Sequence, residues 1–467
     1  MLLDKKILII FSVGLILRLL IYFLFINNHP ERAFYSIDAY EYEFPAITLI
    51  EKGRYIRDCP KSIPEYFPGK CIPSNEPEIY RTPVYPLYIV LHYILFGYRS
   101  EMVIFSQNLI DSSKIFILFH ISRTVGLVNP YFPSLLYALS PSALIFSQTF
   151  MTEAIQGFFL LLILFLLLKK TAGIKSALFG LTSGLLCLTH PIWLFFSLTL
   201  PLLFLIYSRS LKYFLISTFF LFLTVAPWMM RNWIIWHQVI FRHGSHVFLC
   251  EIYQRMTHQE WAPSHVDVSI FNEASERFGW GVKFSSEDEV RNFPINLTQE
   301  LQIAYICRNH ILKDLRHYPI ELHFAGFVRS LPPFGIAHLT YLAKGDINPS
   351  RIEITKYVIP MFFEGKFVEV IREIKEKRLG LLSLFWWIFY IIGWAFRISS
   401  VLLIPFAFFK LKPKFSIMFF FVFVYALFLI STFESAQPRR FYTVEPIVFI
   451  LSTGGVEFLR NFTKKSK

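Results

Sequence analysis

The chain predicts an all-α polytopic membrane protein, with about ten transmembrane helices, interfacial helices beside them and a small exported, mostly helical region. Three observations carry this expectation. Of 467 residues, 54% are hydrophobic and only 17% charged, whereas soluble domains carry about a quarter charged residues. Apolar runs such as Phe158–Leu168 and Phe415–Ile430 recur, 53 residues are Phe, and mean hydropathy is +0.48, so lipid is the solvent for much of the chain. The third observation is where the basic residues fall once the spans are drawn.

A membrane-crossing helix needs about 20 mostly apolar residues. In chain order, crossings are predicted at 7–26, 101–121, 130–148, 152–169, 174–190, 191–208, 212–230, 382–409, 415–432 and 443–460. The first follows Lys5 and Lys6 and has no small-residue cleavage site behind it, which reads as a retained anchor rather than a signal peptide. A first exported loop spans 27–100; its end, Val84–Phe96, is apolar but too short to cross and reads as an amphipathic helix in the interface. Residues 174–208 have an alternative reading as one long tilted helix, which flips the parity of all that follows. Residues 231–381 form a larger exported region with helices expected near 298–317 and 363–378. The 382–409 stretch exceeds one crossing and contains Arg397, placing its outer end in the interface. The chain thus divides into an N-terminal transmembrane module (1–230), the exported region (231–381) and C-terminal transmembrane helices (382–467). No internal repeat is visible, which argues against an inverted-repeat transporter.

Placing both termini in the cytoplasm collects Lys5, Lys6, Arg123, Lys169, Lys170, Lys175, Arg209, Lys212, Lys410, Lys412, Lys414, Arg460, Lys464, Lys465 and Lys467 on that side, against few acids, chiefly Asp4 and Glu457. This is the positive-inside pattern of a multi-pass protein of the cell (inner) membrane. The net charge of +13 is then mostly a topology signal and a contact with anionic headgroups of the lipid bilayer, and nucleic acid is not expected as a partner. Of five cysteines, Cys59, Cys71, Cys250 and Cys307 fall in exported segments. They are either four unrelated thiols or two disulfides, Cys59–Cys71 and Cys250–Cys307. No Cys/His zinc spacing appears, and no metal is expected.

The residues that carry chemistry begin the first exported loop. Asp38, Tyr42, Ala46 and Leu49 are spaced by four, four and three and share one helical face, with Gly53 suited to end the helix and Tyr55 just beyond. Asp38 is either a helix N-terminal charge or a general base on a substrate hydroxyl at the membrane surface. Arg81-Thr82-Pro83-Val84-Tyr85-Pro86 precedes the interfacial helix; Arg81 is either a phosphate-holding fork or an interfacial anchor. Among polar residues within spans, Arg18 is expected to snorkel to an interface and Asp111 to pair with Lys114 at i, i+3. The exported histidines show no H-E-x-x-H arrangement, which disfavours a zinc hydrolase. Asn296-Leu297-Thr298 fits an N-glycosylation acceptor, a pattern short enough to arise by chance.

These residues, with others further along, resemble the polytopic glycosyltransferases of the C-type fold. The nearest resemblance is to family 39, the dolichyl-phosphate-mannose protein mannosyltransferases and bacterial aminoarabinose transferases. It runs through Asp38 with Tyr42, Arg81 to Pro86, Pro141 with Thr152-Glu153-Ala154, Ala226-Pro227-Trp228 with Arg231-Asn232, and Arg439-Arg440 with Pro446. It covers most of 1–232 and about 415–460, leaves 231–381 unmatched, and has His190 where the family often has Arg. The resemblance implies transfer of a sugar from a polyprenyl-phosphate donor to a protein, glycolipid or polysaccharide acceptor on the exported face, by inverting single displacement. Asp38 would be the base. Glu153 would hold a sugar hydroxyl, orient Asp38 or share its work, although its position also suits a helix cap. Arg81, Arg439 and Arg440, with Arg231 behind them, would neutralise the leaving phosphate, and Tyr42 and Tyr85 would line the substrate. No cofactor is expected, since arginines can do the charge work. The rival readings are an oligosaccharyltransferase, a transporter of lipid-linked sugars and a non-catalytic assembly subunit.

Overall fold

The computed structural model describes residues 4–34, 36–60, 75–168, 173–242, 267–293, 295–317, 384–432 and 438–465, with 249–250, 252–254, 256, 331, 342, 361, 365–366, 368–369 and 372. The architecture is all-α apart from a two-residue antiparallel pairing. Helix α1 (Lys5–Ile21) is capped by Asp4, whose carboxylate accepts from the Lys6 N–H at 2.9 Å, and runs on through a π-helical turn to Ile26. Then come α2 (Ile37–Lys52), β1 (Ile56–Arg57), β2 (Glu76–Pro77), α3 (Val84–Phe96) and α4 (Ser100–Val125). The bundle continues with α5 (Tyr131–Leu139), α6 (Pro141–Phe146), α7 (Glu153–Leu168), α8 (Gly173–Thr189), α9 (Leu194–Ser208) and α10 (Leu211–Trp236). A polar segment holds α11 (Val268–Phe278), α12 (Glu287–Asn292) and α13 (Leu297–Lys313), and the chain returns through α14 (Leu384–Leu402), α15 (Ile404–Lys410), α16 (Pro413–Thr432) and α17 (Pro438–Lys465).

Among the described residues, five helices are long and apolar enough to cross a membrane: Lys5–Ile26, Ser100–Val125, Pro191–Ser208, Leu211–Trp236 and Arg439–Thr463. A sixth crossing results if Ile388–Leu402 and Ile404–Lys410, bent by 40°, form one broken span. Shorter apolar helices are Val84–Phe96, Glu153–Leu168, Gly173–Thr189 and Pro413–Tyr425. Large apolar side chains such as Ile16, Phe195, Ile206 and Phe409 lie on the outside, as a lipid-facing surface requires. On these grounds the chain is a multi-pass membrane protein.

Three expectations about elements change. The crossing expected at 130–148 is broken into α5 and α6, because Ser140 adopts an extended ψ of 120° and caps α6 through its hydroxyl, while Pro141 has no N–H to continue the ladder of α5. The stretch 382–409 is likewise divided, at Leu403. Helix α10 continues six residues past its expected end, so 231–236 belongs to the bundle rather than to the segment after it. The alternative of one helix over 174–208 is not what forms: His190 is extended and a 3-10 turn, Pro191–Trp193, separates α8 from α9. Helix α13 matches the helix expected near 298–317; most of 363–378 lies outside the described residues.

Close backbone approaches hold the bundle. A Cβ on Gly180 would fall 2.1 Å from the Ser217 carbonyl oxygen, and one on Gly184 would fall 2.6 Å from Thr224 Cβ, so α8 and α10 touch along a small-residue stripe. Gly455 meets the Leu403 carbonyl in the same way. Charges inside the bundle are paired. Asp111 joins Lys114, as expected, at 2.6 Å, but it also takes Arg18 at 2.8 Å. Arg18 is therefore fully buried and does not snorkel. Arg397 is also buried rather than interfacial, with Glu445 at 3.0 Å. Lacking water, such groups persist only with internal partners.

Two sets of contacts mark the bundle's two ends. At one, Tyr131 bonds Asp4, the Asn129 N–H bonds Glu457 at 3.0 Å, and Tyr207 bonds the Lys414 carbonyl. The other end holds the starts of α2, α7 and α17 and the ends of α8 and α10. Beyond the bundle, Ile270, Phe271, Ala274, Phe284, Ile303 and Ile306 make a small second core, cross-linked by the expected Cys250–Cys307 disulfide. Of the other expected pair, Cys71 lies outside the described residues.

Candidate active site

The site forms where helix ends from distant parts of the chain meet. Ser36 caps α2 by accepting from the Asp38 N–H at 3.4 Å, which places Asp38 in the first turn, and Gly53, at φ 65°, ends the helix as its spacing predicts. The β1–β2 pairing then folds the chain back along α2. There Glu78 accepts from the Tyr80 and Arg81 N–H groups, the latter at 2.8 Å, and the Tyr55 hydroxyl donates to the Arg81 carbonyl at 2.9 Å. These bonds shape the turn before α3 and aim the Arg81 guanidinium back at α2. Arg81 Nη2 donates to Asp38 Oδ1 at 2.7 Å, its Nε to Glu41 at 3.0 Å and its Nη1 to the Tyr42 hydroxyl at 3.3 Å. The same guanidinium lies 4.6 Å from the Tyr42 ring centroid, a cation–π contact that fixes its plane.

The second half comes from α17 and α7. Arg439 Nη2 donates to Asp38 Oδ2 at 2.6 Å, so each oxygen of that carboxylate holds one guanidinium. Arg439 Nε stands 3.5 Å from Glu153 Oε1, and Arg440 Nη1 stands 4.0 Å from the same oxygen while reaching His190 Nε2 at 3.1 Å. Glu153 opens α7 and is buried at 2% exposure, yet among the described residues neither of its oxygens has a hydrogen-bond partner.

Burial would raise the Asp38 carboxyl, but the facing charges of Arg439 and Arg81, reinforced by the Arg439 hydrogen bond, outweigh it and hold the group well below the ordinary carboxylate range. On the same helix Glu43 behaves oppositely. It is buried, accepts a bond from Tyr93 on one oxygen, has no hydrogen-bond partner among the described residues on the other, and its carboxyl is pushed up by burial to about 7.

Of the residues singled out from sequence, Asp38, Tyr42, Arg81, Glu153, Arg439 and Arg440 come together. Tyr85 stands behind them: its hydroxyl donates to Gln107 at 3.1 Å and its ring meets the edge of Tyr42, so it braces that ring. Arg231 is a layer away. It donates to the Tyr55 carbonyl at 3.0 Å and lies over Trp228 at 4.9 Å, with no bond among the described residues to either carboxylate. Sequence reasoning missed Glu41 and Arg242. Glu41 sits three residues after Asp38, a helical spacing that was there to be read. Arg242 stacks on the Tyr80 ring at 4.7 Å, and its buried Nε has no hydrogen-bond partner among the described residues; it carries no local signal. Among the described residues no three His, Cys, Asp or Glu side chains gather as a metal-ion site.

The arrangement is three carboxylates, Asp38, Glu41 and Glu153, interleaved with three arginines at one end of a lipid-facing bundle. It can neutralise an anion with several guanidinium groups while an adjacent carboxylate accepts a proton. No protein-family model matches the chain, and no curated protein matches it.

Proposed function

We propose that this chain is an integral membrane glycosyltransferase that moves a sugar from a polyprenyl-phosphate donor to an acceptor hydroxyl of a protein, glycolipid or polysaccharide on the exported face. The observation that supports it best is the Asp38–Arg439–Glu153 chain, extended by Arg81 with Glu41 at one side and by Arg440 at the other, so that three carboxylates and three guanidinium groups are linked by hydrogen bonds or ion pairs. A lipid-borne phosphate leaving the anomeric carbon develops charge that such guanidinium groups stabilise. The attacking hydroxyl must lose a proton, and a single displacement requires one carboxylate for it. In this reading about ten segments cross the membrane, with α5 and α6 together serving as one crossing, and the basic-rich end faces the cytoplasm. Docking from the bilayer suits α3, whose outer side exposes Leu87, Leu91 and Ile94 while Tyr85, Ile89 and Tyr93 pack inward.

A transport reading draws on the charges deep in the bundle, but Asp111 and Glu445 are occupied by Arg18, Lys114 and Arg397, which leaves little for cargo. The test is transfer by the purified protein from a panel of radiolabelled polyprenyl-phosphate sugars, with membrane extract as acceptor. Wild type should move label, and Arg439→Ala should lower turnover by roughly 10²–10³, the range for loss of one transition-state donor. If no hexose, pentose or aminosugar donor yields product, the reading is wrong.

A further inference from the structure

Of the site's three carboxylates, Glu41 is taken up by Arg81, and the other two, Asp38 and Glu153, are not equivalent. Asp38 has a guanidinium on each oxygen, at 2.7 and 2.6 Å. To take a proton it must accept it beside two fixed positive charges, or lose one of them first. General-base efficiency follows basicity, and these two guanidinium groups count against Asp38 in that role. Glu153 is placed differently. Among the described residues its ion-pair partners, Arg439 and Arg440 at 3.5 and 4.0 Å, lie near Oε1 and neither oxygen has a hydrogen bond. A buried carboxylate with no hydrogen bond is costly, and the cost is removed by a hydroxyl donated from outside the protein. Asp38 and Glu153 also share Arg439: its Nη2 is held by Asp38 while its Nε faces Glu153.

Resting on the glycosyltransferase reading above, we propose that Glu153 is the proton acceptor of the reaction and that Asp38 is a positioning residue, holding Arg81 and Arg439 in place for the leaving phosphate. This departs from the role the sequence resemblance implies for Asp38. The acceptor hydroxyl donates its hydrogen bond to a free Glu153 oxygen. As its oxygen forms the bond to the anomeric carbon, its proton passes to Glu153. The bond from the anomeric carbon to the phosphate oxygen breaks, and its electron pair leaves with the phosphate, whose charge falls among Arg81, Arg439 and Arg440. The proton on Glu153 then returns to water.

The experiment uses the full-length protein in detergent with the radiolabelled donor panel and membrane-extract acceptor, comparing Glu153→Gln, Glu153→Asp and Asp38→Asn across pH. Thermal unfolding checks that each variant is folded. Glu153→Gln should lower kcat by about 10³, within the 10²–10⁴ span of general-base catalysis, with donor KM nearly unchanged and the acid limb of the pH profile gone. Glu153→Asp should recover part of that loss. Asp38→Asn should act mainly through donor KM and keep the acid limb. If Glu153→Gln stays within tenfold of wild type while Asp38→Asn loses turnover at unchanged KM, the assignment is overturned and the glycosyltransferase reading stands. If wild type transfers no label from any donor, that reading fails and the assignment falls with it.

Discussion

Removing Asp111 should destabilise the bundle far more than removing the lysine beside it. Asp111 is fully buried and accepts from Arg18 Nε at 2.8 Å, Lys114 Nζ at 2.6 Å, the Tyr137 hydroxyl at 2.7 Å and the Tyr442 hydroxyl. These partners tie α1, α4, α5 and α17 together. The charge count is unequal, with Arg18 and Lys114 set against one carboxylate. Asp111→Asn leaves both cations without a counter-ion, and breaking a buried pair costs about 3–5 kcal/mol. Lys114→Met removes the surplus charge, leaves the Arg18–Asp111 pair and its two phenols, and keeps nearly the same volume, so the cost should stay below about 1.5 kcal/mol. The double variant leaves one unpaired cation instead of two. It should therefore be more stable than Asp111→Asn alone, with a coupling of roughly 1–3 kcal/mol. The assay is equilibrium unfolding in mixed micelles of dodecyl maltoside and dodecyl sulfate, followed by helical circular dichroism. Equal losses for Asp111→Asn and Lys114→Met, or additive losses in the double variant, would refute the charge argument.

Other consequences follow from single contacts. Because the Glu43 carboxyl is raised from 4.5 to about 7 in the folded chain, its contribution to stability is full below pH 4.5 and is lost as pH rises through 7. At 1.36 kcal/mol per unit this amounts to about 3 kcal/mol, and Glu43→Gln should flatten that part of the stability–pH curve; an unchanged curve would exclude Glu43 as its source. Gly180→Ala puts a methyl group 2.1 Å from the Ser217 carbonyl and should cost about 1–3 kcal/mol. Gly173→Ala, with nothing within 4 Å, should not lower the unfolding midpoint, and similar effects of the two would dismiss close α8–α10 contact. Cys250 and Cys307 close a 57-residue separation, for which chain entropy gives about 4 kcal/mol. Reduction should expose the α11–α13 core to hydrogen exchange while leaving α4 and α7 protected; unchanged exchange at α11–α13 would count against the cross-link.

What the sequence alone determined are the properties that a short window carries. The apolar lengths of 7–26, 101–121 and 212–230 anticipate α1, α4 and α10, because lipid crossing depends on run length. The spacing of Asp38, Tyr42 and Gly53 anticipates α2 and its end, because caps and helical faces are local. The division at Ser140–Pro141 was visible in the residues but outweighed by their hydropathy, which averages over a break. The partners of charged groups were beyond reach of any window. Arg18 finds Asp111 93 residues away, and Asp38 finds Arg439 401 residues away; only the folded bundle decides that the first is a structural lock and the second part of a site. The same holds for Arg231, drawn aside by Tyr55 and Trp228, and for Arg242, brought in against Tyr80. Tertiary structure alone also separates Asp38 from Glu153: Asp38 has both oxygens hydrogen-bonded by arginines, whereas among the described residues neither Glu153 oxygen has a hydrogen bond, because hydrogen-bond occupancy depends on where distant side chains end and not on spacing along the chain.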